Sequence, residues 1–232
     1  MQTTKLSFSY YPPIRATVSN PYLWCVNFPS NSIEKAVEQL SKFPGVGKKS
    51  ALRMTLFLLR SDNSVAEALA QAIIDLKEKT QFCKTCGNIS EAEICNICTS
   101  VNRNKGMLCV VRDFQDIIAL ENTGRYNGVY HVLGGLISPM QGVGPSDIRI
   151  DELVERVGKG EITEVILALN ANMEGDTTEF YISKKLANVK VNISSLARGI
   201  SVGGELEYAD EITLGRSILN RVPYHNERSG QD

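Results

Sequence analysis

Two Cys-x-x-Cys pairs constrain this chain more than any other feature of its sequence. Cys83 and Cys86 form the first pair, and Cys95 and Cys98 form the second, with eight residues between the pairs. Each pair can fold into a knuckle that directs two thiolates to one point, and two knuckles complete a tetrahedral site of four sulfur atoms. The spacing therefore predicts one structural Zn²⁺ per chain.

Two disulfides, or one redox-active pair, are the alternatives for these cysteines. A redox motif needs one pair, whereas this chain has two, and nothing in the sequence indicates an oxidising compartment. A catalytic zinc site keeps one coordination position open, whereas four thiolates leave none for a substrate. The zinc is therefore expected to stabilise the fold and to take no part in catalysis.

The bulk composition is that of an ordinary globular protein. The chain has 232 residues, of which 43% are hydrophobic and 22% are charged. Its net charge of −1 gives no overall sign of nucleic-acid binding, so any such binding requires a local basic surface. The apolar runs are too short to cross a bilayer, and the cysteine pattern predicts a cytoplasmic protein.

Such a basic surface is predicted between residues 41 and 60. This segment contains five cations and no Asp or Glu, and its Pro-Gly-x-Gly turn at residues 44–47 separates two helical patterns. The first helix is predicted to begin near Ser32, and the second covers residues 51–59. Unpaired backbone N–H groups at the start of the second helix suit a phosphate, which makes the segment a candidate DNA-binding helix-hairpin-helix.

Two other interpretations apply to this basic segment. One is a solvated turn in a helical bundle, without any ligand. The other is an ATP-binding P-loop, which needs a Gly at the position held by Lys42 and a preceding strand. The P-loop is rejected on both counts.

A third helix is predicted from residue 64 to residue 79, with a core-forming apolar stripe at Val65, Leu69, Ile73 and Leu76.

The second half of the chain has the pattern of an α/β domain. Strands are predicted at residues 107–111, 129–133, 164–169 and 189–193, with helices between them. This alternation predicts a parallel sheet covered on both faces. His131 lies within a strand pattern and is expected to be a buried, hydrogen-bonded residue, so Ser/His/Asp catalysis is not predicted.

Charged residues collect where the predicted strands end, at the carboxyl edge of the sheet. They are Arg112, Asp113, Glu174 and Asp176. The three acidic side chains would suit Mg²⁺ and phosphoryl transfer if they lay together. The simpler interpretation is that Glu174 and Asp176 open a helix, where negative charge is favoured, and the fixed cation of Arg112 argues against a metal.

Three longer strings carry a resemblance to a known family. They are YHVLGGLISPM at residues 130–140, GVGPSD at 142–147 and GGELEYAD at 203–210. Together with the hairpin and the four cysteines, in this order, they resemble the bacterial RecR family of recombination mediators from about Phe28 to Arg221. The resemblance implies a mixed α/β chain with a helix-hairpin-helix, a four-cysteine zinc finger and a Toprim domain.

On this basis the chain is predicted to have five segments. Residues 1–27, which show no apolar period, are expected to be a disordered extension, arising from an upstream start assignment or a lineage-specific tail. Residues 28–80 form the helix-hairpin-helix region, 81–100 the zinc finger and 106–201 the Toprim domain. Residues 202–232 form a C-terminal segment that takes part in oligomerisation.

The resemblance also implies a function without catalysis. Family members act with RecF and RecO to place RecA on gapped DNA or on single strands coated by single-strand-binding protein. They assemble as tetrameric rings, bind single- and double-stranded DNA without sequence preference and work in the cytoplasm, at the nucleoid. The family's DNA-contacting Lys and Arg match Lys49 and Arg53, and Lys48 lies beside them in the basic segment.

The carboxyl edge departs from the pattern of catalytic Toprim domains. Those enzymes have a Glu at the end of the first strand, where this chain has Arg112, and an Asp-x-Asp pair that Glu174-Gly175-Asp176 replaces. A partner-docking role for Arg112, Asp113, Glu174 and Asp176 is therefore predicted. A Mg²⁺-dependent nuclease or primase-like enzyme using Asp113, Glu174 and Asp176 stays an alternative, as does an architectural zinc protein that binds only proteins.

Overall fold

The computed structural model describes residues 30–200 and 203–223. The predicted extension at residues 1–27 therefore lies outside the described residues, as do Cys25 and His225. The chain divides into two compact units, Met1–Ile73 and Ile74–Asp232, which we call the helical unit and the α/β unit. No helix in the described ranges is both long and apolar enough to pass through a membrane.

The helical unit is built on helices α1 (Asn31–Leu40) and α2 (Lys48–Arg60). Ser30 begins α1, because its side chain accepts a hydrogen bond from the Ser32 N–H, so the helix starts earlier than predicted. The two helices pack against each other, with Val37 of α1 and Ala51 of α2 buried. A helix, a short turn and a second helix are thus present, as the sequence predicts.

Helix α3 (Asn63–Lys79) follows, and it corrects one expectation. The predicted core stripe is exposed in the single chain, from 41% at Val65 to 63% at Leu76. The period of the apolar residues correctly predicted a helix, but a period alone does not show that another element covers the apolar face.

The α/β unit contains a four-stranded sheet in which all strands are parallel. The strands are β3 (Asn104–Val111), β4 (Gly128–Val132), β5 (Glu164–Ala168) and β6 (Asn192–Ser195), in the order β4-β3-β5-β6. Leu108 of β3 aligns with Val129 of β4 and Val165 of β5. The last strand begins three residues later than predicted, because the N–H groups of Val189 and Val191 donate to the nearby carbonyls of Leu186 and Val189, and pairing with β5 starts at Asn192.

Helices cover both faces of this sheet, and β3 contributes to both layers. Leu108 and Val110 point to a core shared with α6 (Ile150–Gly158) and α7 (Met173–Leu186). Cys109 and Val111 point to the opposite core, which includes Ile117 of α5 (Phe114–Glu121). Alternate residues of a strand face opposite sides, so a run of consecutive apolar residues serves a strand that is buried on both faces.

Smaller elements complete the α/β unit. Strands β1 (Gln81–Phe82) and β2 (Ile89–Ser90) pair antiparallel, and α4 (Asn96–Thr99) follows them. Near the C-terminus, α8 spans Glu211–Leu219. The mixed α/β class predicted from the sequence is confirmed.

Candidate metal centre and nucleic-acid interface

The first cysteine pair lies in a tight turn that follows β1. The Cys83 N–H donates to the Asn88 carbonyl at 2.7 Å, and the Gly87 N–H donates to the Cys83 carbonyl at 2.9 Å. Gly87 has a φ of +76°, a left-handed conformation that side chains with a Cβ rarely adopt. The sequence places this glycine directly after the second thiol, where the chain reverses.

The second pair opens helix α4. Cys95 precedes the helix, and its carbonyl accepts the Thr99 N–H at 3.1 Å, so the helical turn holds Cys95 and Cys98 on one side. The Cys95 N–H donates to Sγ of Cys83 at 3.3 Å, which joins the two knuckles. Backbone N–H groups directed at sulfur favour the thiolate form that a metal requires.

The four thiols meet in one cluster. The Sγ atoms of Cys83, Cys86, Cys95 and Cys98 all lie within 4.8 Å of one another, and the first three cysteines are buried. A tetrahedral Zn²⁺ with bonds of about 2.3 Å needs sulfur atoms at about this separation. Hydrogen bonding from Cys86 lowers the pKa of Cys95, and the same contact raises the pKa of Cys86. The residues therefore fit a structural zinc ion.

The turn between α1 and α2 brings unpaired backbone N–H groups and positively charged side chains together at the start of α2. Gly45 has a φ of +80°, and the Val46 N–H closes the turn by donating to the Phe43 carbonyl at 3.0 Å. Gly47 precedes α2, whose first turn has neither a side-chain cap nor an acidic residue. The first N–H groups of the helix are thus left for an external acceptor.

The three predicted DNA-binding residues are all exposed at this end of α2. Lys48 and Lys49 are in the first turn, and Arg53 follows one turn later. Within the described ranges, none of the three has an ion-pair partner. Lys42, another cation of the segment, differs because it pairs with Glu38 at 3.7 Å and donates to Gln39 at 3.1 Å.

At the carboxyl edge of the sheet, the acidic residues have partners within the fold. Asp113 caps α5 by accepting the Phe114 N–H at 2.6 Å, and the Asp113 N–H donates to Asp116 at 3.0 Å. The Ser138 hydroxyl donates to Glu174 at 2.5 Å. Asp113 and Glu174 therefore make hydrogen bonds that stabilise the α/β unit.

Asp176 is held between two arginines. It pairs with Arg198 and, at 3.3 Å, with Arg216 of α8. The hydrogen bond from Arg198 is the main cause that lowers the Asp176 pKa. Over the residues that the structure describes, the four cysteines are the only group of three or more His, Cys, Asp or Glu side chains placed for a metal. Asp113, Glu174 and Asp176 do not form such a group.

His131 is fully buried in β4, as predicted. Its Nε2 lies 2.8 Å from the Arg149 carbonyl, and burial lowers its pKa to about 4. Sequence reasoning did not identify Arg149 and Arg156 of the α6 region, both of which contact the first knuckle. They lie more than 60 residues from the first cysteine pair, and only the folded sheet brings them there.

Four family models match successive parts of the chain. A RecR helix-hairpin-helix model matches residues 33–77, and a RecR four-cysteine zinc finger domain model matches residues 80–100. A Toprim domain model matches residues 106–197, and a RecR C-terminal model matches residues 199–222.

Curated relatives match over most of their length. Recombination protein RecR of Bacteroides fragilis is 56% identical over 197 residues, which cover 85% of this chain and 96% of the relative. The protein of the same name from Flavobacterium psychrophilum is 52% identical over 201 residues, covering 87% and 98%. That of Bacteroides thetaiotaomicron is 57% identical over 195 residues, covering 84% and 95%. This chain belongs to the RecR family.

Both candidate sites lie in segments that RecR family models match. The zinc finger model includes all four clustered cysteines, so the donor set is that of a RecR zinc finger. The helix-hairpin-helix model includes Lys48, Lys49 and Arg53. The chain is therefore a recombination and repair protein of the RecR family with a helix-hairpin-helix of the DNA-binding kind.

Proposed function

We propose that this chain is a non-catalytic, DNA-binding subunit of a recombination mediator. It acts with RecF and RecO to load RecA on gapped DNA or on single strands coated by single-strand-binding protein. The observation that carries the proposal is the start of α2, where Lys48, Lys49 and Arg53 are exposed and the first turn contains no acidic residue. Backbone N–H groups and cations bind phosphate without reading bases, so single- and double-stranded DNA are both ligands.

Self-association into a tetramer is part of this proposal. The apolar stripe of α3 is exposed, and Ile212, Ile218 and Leu219 of α8 are 71%, 65% and 79% exposed. Apolar surfaces of this kind are typical of protein interfaces. We expect a mass of four chains in solution by light scattering, with and without DNA, whereas a stable monomer at micromolar concentration would contradict the assembly.

For partner docking we propose the carboxyl edge of the sheet. The three acidic residues have partners within the fold: Asp113 caps a helix, Glu174 accepts a hydroxyl and Asp176 pairs with two arginines. Arg112, directly after β3, has no ion-pair partner among the described residues. Arg112→Ala is expected to weaken capture of purified RecO or RecF. Arg125→Ala, which removes an exposed arginine from the same unit, is the control.

The DNA contacts are tested with Lys49→Ala/Arg53→Ala. We expect weaker binding to all DNA sequences and a shallower dependence of log affinity on log salt, with the slope reduced by about one for each phosphate that is no longer neutralised. Lys190→Ala/Arg125→Ala removes one exposed Lys and one exposed Arg from the α/β unit and is the control of matched charge. If the hairpin variant keeps the affinity and salt dependence of the unsubstituted protein, the hairpin is not the DNA site.

The non-catalytic part of the proposal has a separate test. Purified protein is incubated with DNA and Mg²⁺, and cleavage and strand synthesis are followed with time. We expect no turnover. Turnover that disappears in Glu174→Gln would replace this proposal by the Mg²⁺-dependent Toprim enzyme.

A further inference from the structure

Arg156 of α6 contacts the backbone between two cysteines of the cluster. Its Nη1 donates to the Tyr130 carbonyl at 2.7 Å and lies 3.5 Å from the carbonyl of Thr85. Thr85 is within the Cys83–Cys86 knuckle, so a guanidinium from the Toprim domain lies against the turn that carries two of the four sulfur atoms.

The charge of Arg156 has no counter-ion among the described residues. The side chain is half-buried, yet no carboxylate of the described chain lies within ion-pair distance. Arg149, which also contacts this knuckle, is paired with Glu152. Because a partly buried cation without an anion is unfavourable, an anion is expected near Arg156.

The cysteine cluster supplies that anion once a metal is bound. Metal binding requires four deprotonated thiols, whose negative charges exceed those that one Zn²⁺ neutralises. The zinc-loaded cluster is therefore an anionic centre on the knuckle that Arg156 contacts. A cation beside this anionic centre is attracted to it, and the attraction is gained only when the metal is bound.

Strand β4 ties the same knuckle to the sheet. β4 is at the edge of the sheet, and its Val132 N–H donates to the Cys86 carbonyl at 2.8 Å. Tyr130 of the same strand accepts the bond from Arg156. The backbone around Cys86 is thus held from two directions by elements of the Toprim domain, which reduces the freedom that zinc binding must remove.

We infer that Arg156 is a positioning residue of the zinc site. It holds the Thr85 carbonyl and balances the charge of the thiolates, so that α6 raises the affinity of the cysteine cluster for zinc.

The test uses the full chain with Arg156→Gln and Arg156→Lys. Zinc affinity is measured by competition with the chromogenic chelator 4-(2-pyridylazo)resorcinol, and Co²⁺ titration of the metal-free protein reports tetrahedral thiolate coordination. We expect Arg156→Gln to bind zinc about 10- to 100-fold more weakly, the range typical when a group that supports metal ligands is removed. Arg156→Lys keeps the charge and is expected to lie between Gln and the unsubstituted protein.

Arg125→Gln is the control, since it removes an exposed arginine without an ion-pair partner among the described residues. Equal zinc affinity of Arg156→Gln and the unsubstituted protein would overturn the inference. If the Lys and Gln variants lose zinc affinity equally, the charge of Arg156 does not contribute to zinc binding. At saturating Co²⁺ all variants should show the same tetrahedral spectrum. If the Gln variant is unfolded by circular dichroism, Arg156→Met, which keeps the aliphatic stem, takes its place in the same comparison.

Discussion

Gly87 is the residue on which the first knuckle depends most directly. Its φ of +76° is in the left-handed region, and the space that a Cβ would need is taken by the Arg149 guanidinium and, at 3.3 Å, by the Val132 carbonyl. Gly124 also has a positive φ, of +63°, but apart from its chain neighbours no described residue lies within 4 Å of the position that a Cβ would take. Comparing alanine substitutions at these two glycines therefore separates the cost of backbone strain from the cost of a steric clash.

We therefore predict that Gly87→Ala destabilises the protein more than Gly124→Ala. The backbone strain alone is worth about 1–2 kcal/mol, and displacement of Arg149 adds to it at residue 87 only. Chemical unfolding of both variants, with zinc in excess, measures the difference. Equal losses of unfolding free energy would mean that the contact of Arg149 with Gly87 does not affect stability.

His131 makes folding sensitive to acid. Burial lowers its pKa from the ordinary 6.5 to about 4, so the histidine is neutral in the folded state at pH values where the unfolded chain is protonated. Stability from this residue is present above pH 6.5 and is lost as the pH falls toward 4. Nδ1 has no hydrogen-bond partner among the described residues, so no acceptor is present for a second proton.

Lowering the pH from 7.5 to 5.0 is expected to remove about 2 kcal/mol of stability through His131. His131→Gln, which keeps an N–H donor for the Arg149 carbonyl, should lose less over the same interval. Urea unfolding at the two pH values gives both losses, and zinc release by acid affects the two proteins alike. The same pH dependence in both would exclude His131 as the source.

Ion pairs connect helix α8 to the Toprim domain. Arg216 of α8 and Arg198, which follows β6, both pair with Asp176 on α7, and Arg198 also pairs with Glu179 at 3.0 Å. Most large apolar side chains of α8 are exposed, so little apolar burial holds this helix in the single chain. The ion pairs therefore carry a large share of its attachment.

Asp176→Asn is expected to loosen α8 without unfolding the sheet. Hydrogen exchange should become several-fold faster in residues 211–219 and stay unchanged in β3, and added salt should have a similar effect because it screens the pairs. Glu155→Gln, which breaks an exposed pair between α6 and Lys159 directly after it, is the control. Unchanged exchange in α8 would show that other contacts hold it.

At the scale of the whole molecule, the zinc finger and the Toprim domain share one folding unit. The Cys86 carbonyl pairs with the outer edge of β4, and Ile97 of α4 packs against the core that contains Val111. An exposed edge strand is prone to pair with other chains, and the knuckle covers part of this edge. Zinc is therefore expected to stabilise the sheet as well as the knuckle.

Removing zinc with a chelator should lower the melting temperature by about 10 °C or more, since structural zinc contributes several kcal/mol. Elemental analysis should find about one zinc per chain beforehand. Faster hydrogen exchange should follow at the Val132 N–H, on the edge strand. Protein purified without chelator that contains no metal would contradict the zinc assignment.

The predictability of each site follows from how local its determinants are. Each cysteine pair spans four residues, so spacing along the chain was sufficient to locate the sulfur donors. Lys48, Lys49 and Arg53 lie within two turns of one helix, and their contact with DNA stays a prediction. The α3 stripe was wrongly assigned to the core because periodicity shows which face of a helix is apolar and not what covers it.

The sequence by itself determined the longer helices, the four strands of the parallel sheet to within a few residues, the sulfur donors and the basic turn, because short-range periodicity, turn chemistry and ligand spacing are properties of neighbouring residues. Only the tertiary structure showed that Asp113 caps a helix, that Asp176 lies between Arg198 and Arg216, and that Arg156 contacts the cysteine knuckle. Most of those contacts join residues far apart along the chain, and their partners are selected by the order of the parallel strands and the packing of helices on the sheet.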